Sequence, residues 1–426
     1  MKVVLLGSGG RESALAWALD RSRAVEQLVV APGNAGTERI AENIDIDASD
    51  RHAVLNLAKR VGPDLVVVGP EAPLVAGVGD ALRAERYPVF GPDSEAARIE
   101  GSKTHAKDLM ERAGIPTASA RAFADRDEAV AYLEEIGAPY VIKADGLAAG
   151  KGVVVTSDWD EAVAAVDERL VHGAFGDAGR IVLIEEFLDG EEASVIAFTD
   201  GKSIVPCEPA QDYKRIGDGD SGPNTGGMGS YSPVPACPPA LIDTICDGVI
   251  RPMVEETAEH GAPFVGALYA GLALTAKGPR VIEFNARFGD PETQALMPRL
   301  ASDFAEVAMA TASTELAGVS LEWRPERCVS VVLASAGYPG GYETGRSIEG
   351  IDEAEAMDDV AVFHAGTAWH DGRLVTAGGR VLAVSALGST YAAARARAYD
   401  AAAKIHFEGK YVRGDIASRA EHTEGA

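Results

Sequence analysis

The first hundred residues alternate short apolar runs with amphipathic stretches. The runs are strand-length and end at Gly or Pro: VVLLG (3–7), LVVAP (28–32), LVVVGP (65–70) and PVFGP (88–92). The stretches between them, such as ESALAWALDRS and HAVLNLAKRVG, have helical apolar spacing. Nearly continuous apolar strands that alternate with helices are typical of a parallel sheet covered on both faces. The sequence therefore predicts an α/β chain that opens with a Rossmann-like parallel-sheet domain.

Glycine-rich turns follow these strands, at the edge where an open parallel sheet binds its ligands. The first turn, Gly7-Ser8-Gly9-Gly10, starts as a dinucleotide fingerprint does, but Glu12 stands where that fingerprint needs its third glycine. The second strand runs into Asn34 without an acidic residue for an adenosine ribose. A nicotinamide cofactor is therefore disfavoured. The turn suits either one phosphate at a helix N-terminus or a tight connection without a ligand.

The remaining residues divide into two further parts. A chain of 426 residues is expected to form two or three domains. We place these domains at 1–101, 102–322 and 323–426, because the pattern of apolar runs changes at both boundaries. The last part contains strands such as RLVTAGGRVLAVSALG and one closing helix, which predicts a mixed α/β domain. The polar tail after Gly414 is expected to fray.

The formal net charge of -26 excludes a general electrostatic surface for nucleic acid. An anionic substrate must then be held by a local cluster of cations. Because Arg outnumbers Lys 28 to 11, we also hypothesise an acidic surface suited to high salt. The four cysteines are scattered, and no apolar run approaches the roughly 20 residues of a membrane helix. These features predict a cytoplasmic protein with no membrane partner.

The stretch KADGLAAGKGVVV (143–155) places a glycine loop between two lysines. A Walker loop needs GxxxxGK, then Ser or Thr, then a helix. Here only three residues separate Gly146 from Gly150, and the valines that follow the loop predict a strand. The alternative is a hairpin whose glycine tip folds over a nucleotide, with Lys143 fixed in its strand and Lys151 on the tip as charges for phosphate. A surface hairpin with two solvated lysines fits the same pattern.

The run RVIEFNARF (280–288) predicts a strand with polar side chains on one face. Alternation puts Glu283, Asn285 and Arg287 together. Glu and Asn oxygens suit Mg²⁺, which takes few protein ligands and keeps phosphate oxygens and waters. Arg287 can neutralise a phosphate or a carboxylate, and the following turn adds Asp290. A plain surface ion pair of Glu and Arg, worth at most about 1 kcal/mol, is the alternative.

Together these stretches resemble the phosphoribosylamine–glycine ligase family of the ATP-grasp superfamily. The resemblance spans nearly the whole chain, in the family's order: GSGGRE, VAPGNAGT, VGPEAPLVAG, IKADGLAAGKGV, AFGDAG, IEEFLDGEEAS, GPNTGGMGSYSP, VIEFNARFGDPETQ and FHAGT. It implies a central ATP-grasp domain with a mobile lid over about 120–190. It also implies that ATP, glycine and 5-phosphoribosylamine give glycinamide ribonucleotide, ADP and phosphate in purine biosynthesis. Glycine is first phosphorylated on its carboxylate, and the implied metal is Mg²⁺ or Mn²⁺.

The resemblance implies roles for particular residues of this chain. The residues implied to bind ATP are Lys103, Lys143, Gly146, Gly150, Lys151, Gly152, Glu185, Glu186, Leu188 and Glu192. Those implied to bind the metal are Glu283 and Asn285. Those implied to bind the other substrates are Gly9, Gly10, Asn34, Glu71, Asp212, Lys214, Arg287 and Asp290. Those implied to be catalytic are Lys143, Asp212, Arg287 and Asp290. The implied partners are small molecules, and the chain is expected to act as a monomer.

The sequence departs from the family pattern near the substrate. Ser13 stands in GRESA where the family commonly has His, so a group that can carry charge near the substrate phosphate is missing. Tyr213 also stands where His is common. The strand GALYAGLAL (266–274) lacks the additional carboxylate that other ATP-grasp enzymes usually offer to the metal, as in this ligase branch generally.

Three alternatives remain open from the sequence. A formate-using or carboxylating ATP-grasp ligase would share the lysines and metal ligands, but not the combination of GPNTGGMG with FNARFGDPETQ. A nicotinamide dehydrogenase would need the glycine and the acidic residue that the first domain lacks. A non-catalytic nucleotide-binding scaffold would not need the intact set Lys143, Lys151, Glu283, Asn285 and Arg287.

Overall fold

The N-terminal part forms the expected parallel sheet. The computed structural model describes residues 1–148 and 152–424. The strands of this part are β1 (Lys2–Gly7), β2 (Gln27–Pro32), β3 (Glu42–Asn43), β4 (Leu65–Val68) and β5 (Val89–Phe90). Its helices are α1 (Gly10–Asp20), α2 (Arg51–Val61), α3 (Glu71–Val75), α4 (Val78–Ala84) and α5 (Ser94–Gly101). The strand order is β3-β2-β1-β4-β5 and every pair is parallel, so the four apolar runs identified in the sequence are β1, β2, β4 and β5.

A small antiparallel sheet with two helices follows the connecting helix α6 (Lys103–Arg112). Its elements are β6 (Ala120–Phe123), α7 (Arg126–Ile136), β7 (Tyr140–Ala144), β8 (Val153–Thr156), α8 (Trp159–Leu170) and β9 (Val182–Glu185). The strand order is β6-β9-β7-β8, which leaves β8 at an edge. Asp125 and Asp158 cap the two helices through backbone N–H groups of the first turn. Residues such as Leu133, Ile142 and Val166 form a core of its own, so this unit, which we call the lid, packs as a separate body.

The central part of the chain continues with eight strands, four of which form a larger antiparallel sheet. Its strands are β10 (Glu191–Asp200), β11 (Ile204–Pro206), β12 (Gln211–Asp212), β13 (Arg215–Gly217), β14 (Ser221–Asn224), β15 (Gly229–Ser232), β16 (Val265–Thr275) and β17 (Gly278–Asn285). Its helices are α9 (Pro239–Ile245), α10 (Arg251–Glu259), α11 (Glu292–Leu296) and α12 (Phe304–Ala312), and the turn of π-helix Cys246–Ile250 joins α9 to α10. The sheet order is β11-β10-β16-β17, while β13 and β14 form a separate hairpin.

Strand β17 corrects one sequence prediction. It ends at Asn285, so Arg287 is not a strand residue, and the register against β16 slips at Ile282. The bulge lies before Glu283, so Glu283 and Asn285 still alternate in register, and only Arg287 falls outside the strand. Arg287 nevertheless stays beside Asn285, because its Nη2 lies 3.3 Å from Asn285 Oδ1.

The C-terminal part is built on β18 (Arg327–Ser335), α13 (Ile351–Glu355), β19 (Val360–His364), β20 (Thr367–His370), β21 (Arg373–Thr376), β22 (Arg380–Gly388), α14 (Tyr391–Lys404), β23 (Lys410–Val412) and α15 (Ser418–Glu424). Its main sheet has the order β12-β15-β18-β22-β19, so two strands from the central part of the chain complete it. Part of the glycine-rich stretch GPNTGGMGSYSP (222–233) is therefore strand, because β14 extends to Asn224 and β15 covers Gly229–Ser232. Residues 415–424 of the tail expected to fray are instead packed against the protein, because Ile416 and Ala417 are fully buried and α15 follows them.

The three parts share continuous apolar cores. Phe90 of the N-terminal sheet meets Phe198, Phe288 and Phe304 of the central part, with ring centroids 5.8–6.2 Å away. Val332, Phe363 and Ala383 of the C-terminal part belong to the same apolar core, so all three parts pack together. Within the described residues, every helix is too short or too polar to span a bilayer.

Candidate functional site

Two neighbouring cavities open between the lid, the central sheet and the other two parts. The first has a volume of about 290 Å³ and the second about 400 Å³. Both are lined by Lys143, Glu185, Asp212, Lys214 and Glu283. The first extends toward the N-terminal and C-terminal parts, and the second runs along the segment that follows β9. The sequence-predicted residues therefore meet at one place.

Lys143 is buried in the wall shared by the two cavities. Only 2% of it is exposed, and its Nζ donates to Glu185 Oε2 at 2.9 Å and to the Ile282 carbonyl at 3.0 Å. Lys107 lies 3.4 Å from the other oxygen of the same carboxylate. Burial lowers the pKa of Lys107 to about 8. Lys107 was missed in the sequence because it is an ordinary lysine of an amphipathic helix.

The second lysine predicted for phosphate, Lys103, points at the start of the glycine loop. Its Nζ donates to the Gly146 carbonyl at 3.2 Å, and burial lowers its pKa while Glu283 opposes the shift. Gly146 packs against Ala178, since a Cβ at Gly146 would lie 2.5 Å from the Ala178 Cβ. Gly150 and Lys151 lie outside the described residues, so their roles stay predictions.

The segment after β9 separates two adjacent glutamates. The Glu185 side chain points inward to the lysines. The Glu186 carboxylate lies on the surface, where it accepts two hydrogen bonds from the Arg280 guanidinium, each at 3.1 Å. Leu188 lines the second cavity with Glu186. Glu192 lies at the far end of that cavity and accepts from Lys214 Nζ at 2.7 Å. The apolar side chains of Val141, Val155 and Leu188 in this cavity suit a purine ring, and the Glu192 carboxylate suits a sugar hydroxyl.

Glu283 and Asn285 place hard oxygen atoms at the first cavity. Burial raises the pKa of Glu283, but Lys214, Lys143 and Lys103 outweigh it and hold the pKa below its usual range. The carboxylate is therefore ionised and fits a divalent cation. Three or more His, Cys, Asp or Glu side chains grouped for a metal are not found in the described parts of the chain. A cation here must take its other ligands from phosphate and water.

Asp212 and Lys214 form a half-buried ion pair near Glu283, in which the Lys214 side chain keeps 37% of its surface exposed. Lys214 Nζ donates to Asp212 Oδ1 at 2.9 Å. Burial, with Glu292 nearby, raises the pKa of Asp212 to about 6 despite Lys214. Burial lowers the pKa of Lys214, but Asp212 and Glu192 outweigh it and raise the pKa well above the usual value. Glu292 accepts from the Tyr269 hydroxyl at 2.9 Å, so this corner is rich in carboxylates that suit an ammonium group.

Arg287 joins the central sheet to the N-terminal part. It donates to Glu71 at 3.2 Å and to Glu100 at 2.6 Å. Burial raises the pKa of Glu71, but Arg287 and Arg11 outweigh it and lower the pKa to about 2. Burial raises the pKa of Glu100. Neither Glu100 nor Arg11 was assigned a role from the sequence, because the partners that bring them to the site lie far away in the chain.

The first glycine turn is largely satisfied by the protein itself. The Gly9 amide donates to Glu12 Oε2 at 2.6 Å. Glu12, which stands where the dinucleotide fingerprint has its third glycine, therefore binds a backbone donor of the turn. The Arg11 amide lies 3.3 Å from Asp290 Oδ2. Asn34 Nδ2 donates to the Ser8 and His364 carbonyls at 2.8 and 2.9 Å. Asp290 thus lies at the start of α1 and brings Gly9 and Gly10 next to the first cavity.

The C-terminal part also reaches the site. Arg380 donates through Nη1 to the Gly226 carbonyl and to the Asp290 carbonyl, the latter at 3.0 Å. Burial raises the pKa of Asp290, but Arg380 and Arg11 outweigh it and keep the pKa below its usual range. Ser13 accepts from the His364 amide at 3.0 Å, so this residue ties α1 to β19. Neither Arg380 nor His364 was assigned a role from the sequence.

Comparison with known proteins identifies the family. Models described as phosphoribosylglycinamide synthetase match the chain in order, with the N domain over residues 1–100, the ATP-grasp (A) domain over 101–293 and the C domain over 328–419. The chain belongs to the phosphoribosylglycinamide synthetase family. The family and the α/β fold with a central ATP-grasp domain, both inferred from the sequence, are confirmed. The individual site residues and the boundaries 1–101, 102–322 and 323–426 stay predictions.

Relatives of this synthetase family are similar over their full length. A phosphoribosylamine–glycine ligase of Rhizobium meliloti (strain 1021) is 51% identical over 426 residues, with 100% of both chains covered. One of Streptomyces coelicolor is 52% identical, with 99% of both covered. The crystal structure of the Thermotoga maritima phosphoribosylamine–glycine ligase has a TM-score of 0.85 at 35% identity and covers 98% of this chain and 100% of that one. A biotin carboxylase of Campylobacter jejuni shares the fold alone, with a TM-score of 0.72 at 16% identity, over 97% of this chain and 93% of that one.

Proposed function

We propose that this chain joins glycine to 5-phosphoribosylamine with the conversion of ATP to ADP and phosphate, by way of glycyl phosphate. Full-length similarity to ligases of that name supports the overall reaction. The observation that carries the residue roles is the meeting of Lys143, Asp212, Lys214, Glu283 and Arg287 around the first cavity. Positive groups from three elements converge there on carboxylates and oxygen donors. That arrangement suits transfer of a phosphoryl group between anions.

The proposed course has two steps. Oxygen of the glycine carboxylate takes the γ-phosphoryl group of ATP, which leaves ADP and glycyl phosphate. The amine nitrogen of phosphoribosylamine then attacks the carbonyl carbon, phosphate leaves, and the nitrogen loses one proton to give the amide. Lys143 and Lys103 face the phosphates in this scheme, and Arg287 neutralises charge as it forms. Asp212 and Asp290 hold the glycine ammonium and the sugar side.

Glu283 and Asn285 are proposed to hold Mg²⁺ or Mn²⁺. When bound, such a cation neutralises triphosphate charge and polarises the oxygens it contacts. The remaining ATP residues are proposed along the second cavity, with the purine beside Glu186 and Leu188 and the ribose at Glu192. The four cysteines are free and buried, which supports a reducing compartment such as the cytoplasm. We propose that the chain acts as a monomer.

One assay tests this function against related ligases. Purified protein is given ATP, a divalent cation and glycine, and phosphate release is followed with and without freshly made phosphoribosylamine. We expect sustained release only when glycine and phosphoribosylamine are present together, and glycinamide ribonucleotide by mass spectrometry. Equal release with formate or bicarbonate in place of glycine would contradict the proposal and favour another carboxylate–amine ligase.

A further inference from the structure

The hairpin formed by β13 and β14, residues 215–224, touches the lid at its edge strand. Asn224 Nδ2 donates to the Val153 carbonyl at 3.3 Å, and Arg215 Nη2 donates to the Val155 carbonyl at 3.3 Å. The two carbonyls are two residues apart and point away from β7, the strand that pairs with β8. Side chains here satisfy acceptors that a further strand would otherwise take. We call residues 215–224 the clasp hairpin.

The strand that the clasp hairpin holds is part of the nucleotide pocket. Val153 and Val155 line the second cavity with Val141 of the neighbouring strand. Val153 pairs with Lys143 in the lid sheet, so a shift of β8 is transmitted to the lysine that faces both cavities. The register of one edge strand therefore sets both the apolar wall and a cation of the site.

The clasp hairpin is fixed on its other side by the C-terminal tail. Arg413, which is 0% exposed, donates to the Arg215 carbonyl and to Asp220 Oδ1, both at 2.8 Å. The Gly414 amide donates to Asp218 Oδ1 at 2.7 Å, and the Gly219 amide donates to Asp415 Oδ2 at 2.9 Å. Several of these hydrogen bonds involve a charged group and are partly buried. Together they fix the clasp hairpin rigidly to the C-terminal part.

The same segment continues into the first cavity. Thr225 follows Asn224 directly, and its amide donates to the Lys214 carbonyl at 2.7 Å. The Gly226 amide donates to the Tyr338 hydroxyl at 2.9 Å. Thr225 and Gly226 both line the first cavity. A single stretch of backbone thus runs from the lid strand to the wall of the substrate site.

We propose that Arg215 and Asn224 are positioning residues that hold lid strand β8 in register over a bound nucleoside triphosphate. The strong contacts lie between the hairpin and the C-terminal part, and the two long contacts lie between the hairpin and the lid. The lid side therefore releases first when the pocket opens. Taking the nucleotide to be ATP rests on the proposed function, whereas the holding of β8 rests on the contacts alone.

The test is nucleotide binding by variants of the full chain. We would measure the Kd of adenosine 5′-(β,γ-imido)triphosphate with Mg²⁺ by calorimetry for Arg215→Met, Asn224→Asp and the double variant. Asn224→Asp keeps the shape but faces the Val153 carbonyl with a carboxylate, so we expect its Kd to rise at least fivefold. Arg215→Met loses the second donor and is expected to do the same. Because both hold one strand, the double variant is expected to fall short of the product of the single effects.

Two controls make the result specific. Arg373→Met removes an exposed arginine of the C-terminal part and is expected to keep the Kd within twofold of the unmodified protein. The binding stoichiometry of the single variants is expected to match that of the unmodified protein, since a general loss of folding would lower the fraction of chains that bind. If Arg215→Met fails to fold, Arg215→Lys, which keeps the charge on a shorter reach, replaces it with the same expectation.

A double variant that folds and binds the analogue within twofold of the unmodified protein overturns the proposal, even if its melting temperature falls. The binding measurement needs neither glycine nor phosphoribosylamine. If the variants show the expected rise in Kd but the unmodified protein makes no glycinamide ribonucleotide, the proposed function is overturned. The proposed role of Arg215 and Asn224 is then still supported.

Discussion

Asp212 and Asp290 line the same cavity, yet their pKa values move in opposite directions. Burial acts on both, but the neighbours of Asp212 include Glu292 and Glu192, which raise its pKa, whereas Arg380 and Arg11 lower the pKa of Asp290. The surrounding charges therefore decide which carboxylate stays ionised as the pH falls. Asp290 keeps its charge under all ordinary conditions, and Asp212 is the group that titrates.

This difference predicts an acidic limb in the rate profile. Asp212 pairs with Lys214, and in the proposed scheme it holds the glycine ammonium only when it is ionised. Because its pKa is raised to about 6, the charged form is present above that pH and is lost below it, whereas an ordinary Asp would keep it to about 4. We expect kcat/KM for glycine to fall below pH 6 in a series from pH 5 to 8.

Asp212→Asn tests the assignment of that limb. Loss of one charge-assisted contact is expected to lower kcat/KM for glycine roughly 10-fold to 100-fold at pH 7.5. The remaining activity is expected to lose its dependence on pH between 5 and 7. An unchanged acidic limb in the variant would assign the titration to another group.

At the level of elements, two neighbouring glutamates at the end of β9 differ in burial and in their partners. Glu185 is buried and shared by Lys143 and Lys107, whereas Glu186 has a side chain that is 41% exposed and pairs with Arg280. Removing one partner of a buried ion pair costs about 3–5 kcal/mol, and removing an exposed pair costs about 0–1 kcal/mol. The Glu185 carboxylate is thus part of a buried group of ion pairs, whereas the carboxylate of the next residue, Glu186, lies on the surface.

The pair Glu185→Ala and Glu186→Ala is a matched experiment on this element. We expect Glu185→Ala to lose about 3–5 kcal/mol of unfolding free energy in urea titration and to raise the KM for ATP strongly, because two lysines are left without their carboxylate. Glu186→Ala is expected to change the KM for ATP less than threefold, since the proposed contacts of this segment with the purine are made by backbone groups and not by the Glu186 side chain. Similar losses in both variants would show that the inward and outward positions are not distinct.

The elements also show what the sequence can and cannot predict. Runs such as VVLLG predict β1 because a strand buried on both faces must be apolar along its length. Motif residues such as Lys143 and Glu283 were found because chemistry restricts their type and spacing. Lys107, Glu100 and Arg380 were missed because their roles come from partners that lie 78 to 187 positions away in the chain and leave no local pattern. The buried tail around Ile416 was missed since its polar composition hides two apolar residues.

Across the whole molecule, the acidic excess should make stability depend on salt. A net charge of -26 opposes a compact state through repulsion between like surface charges. The Debye length falls from about 30 Å at 0.01 M salt to about 8 Å at 0.15 M, so salt removes most of that repulsion. Buried pairs such as Arg287 with Glu100 are screened much less and keep their contribution.

We therefore expect the melting temperature to rise with NaCl between 0.01 and 0.5 M. A gain of ~1–2 kcal/mol corresponds to roughly 2–8 °C for units of this size. Scanning calorimetry in NaCl and in choline chloride gives the measurement, and both salts are expected to act alike because screening depends on ionic strength and not on the identity of the cation. Sorbitol at the same osmolality separates this effect from general exclusion of solutes. A melting temperature that is already maximal at 0.01 M would show that the excess negative charge does not oppose folding.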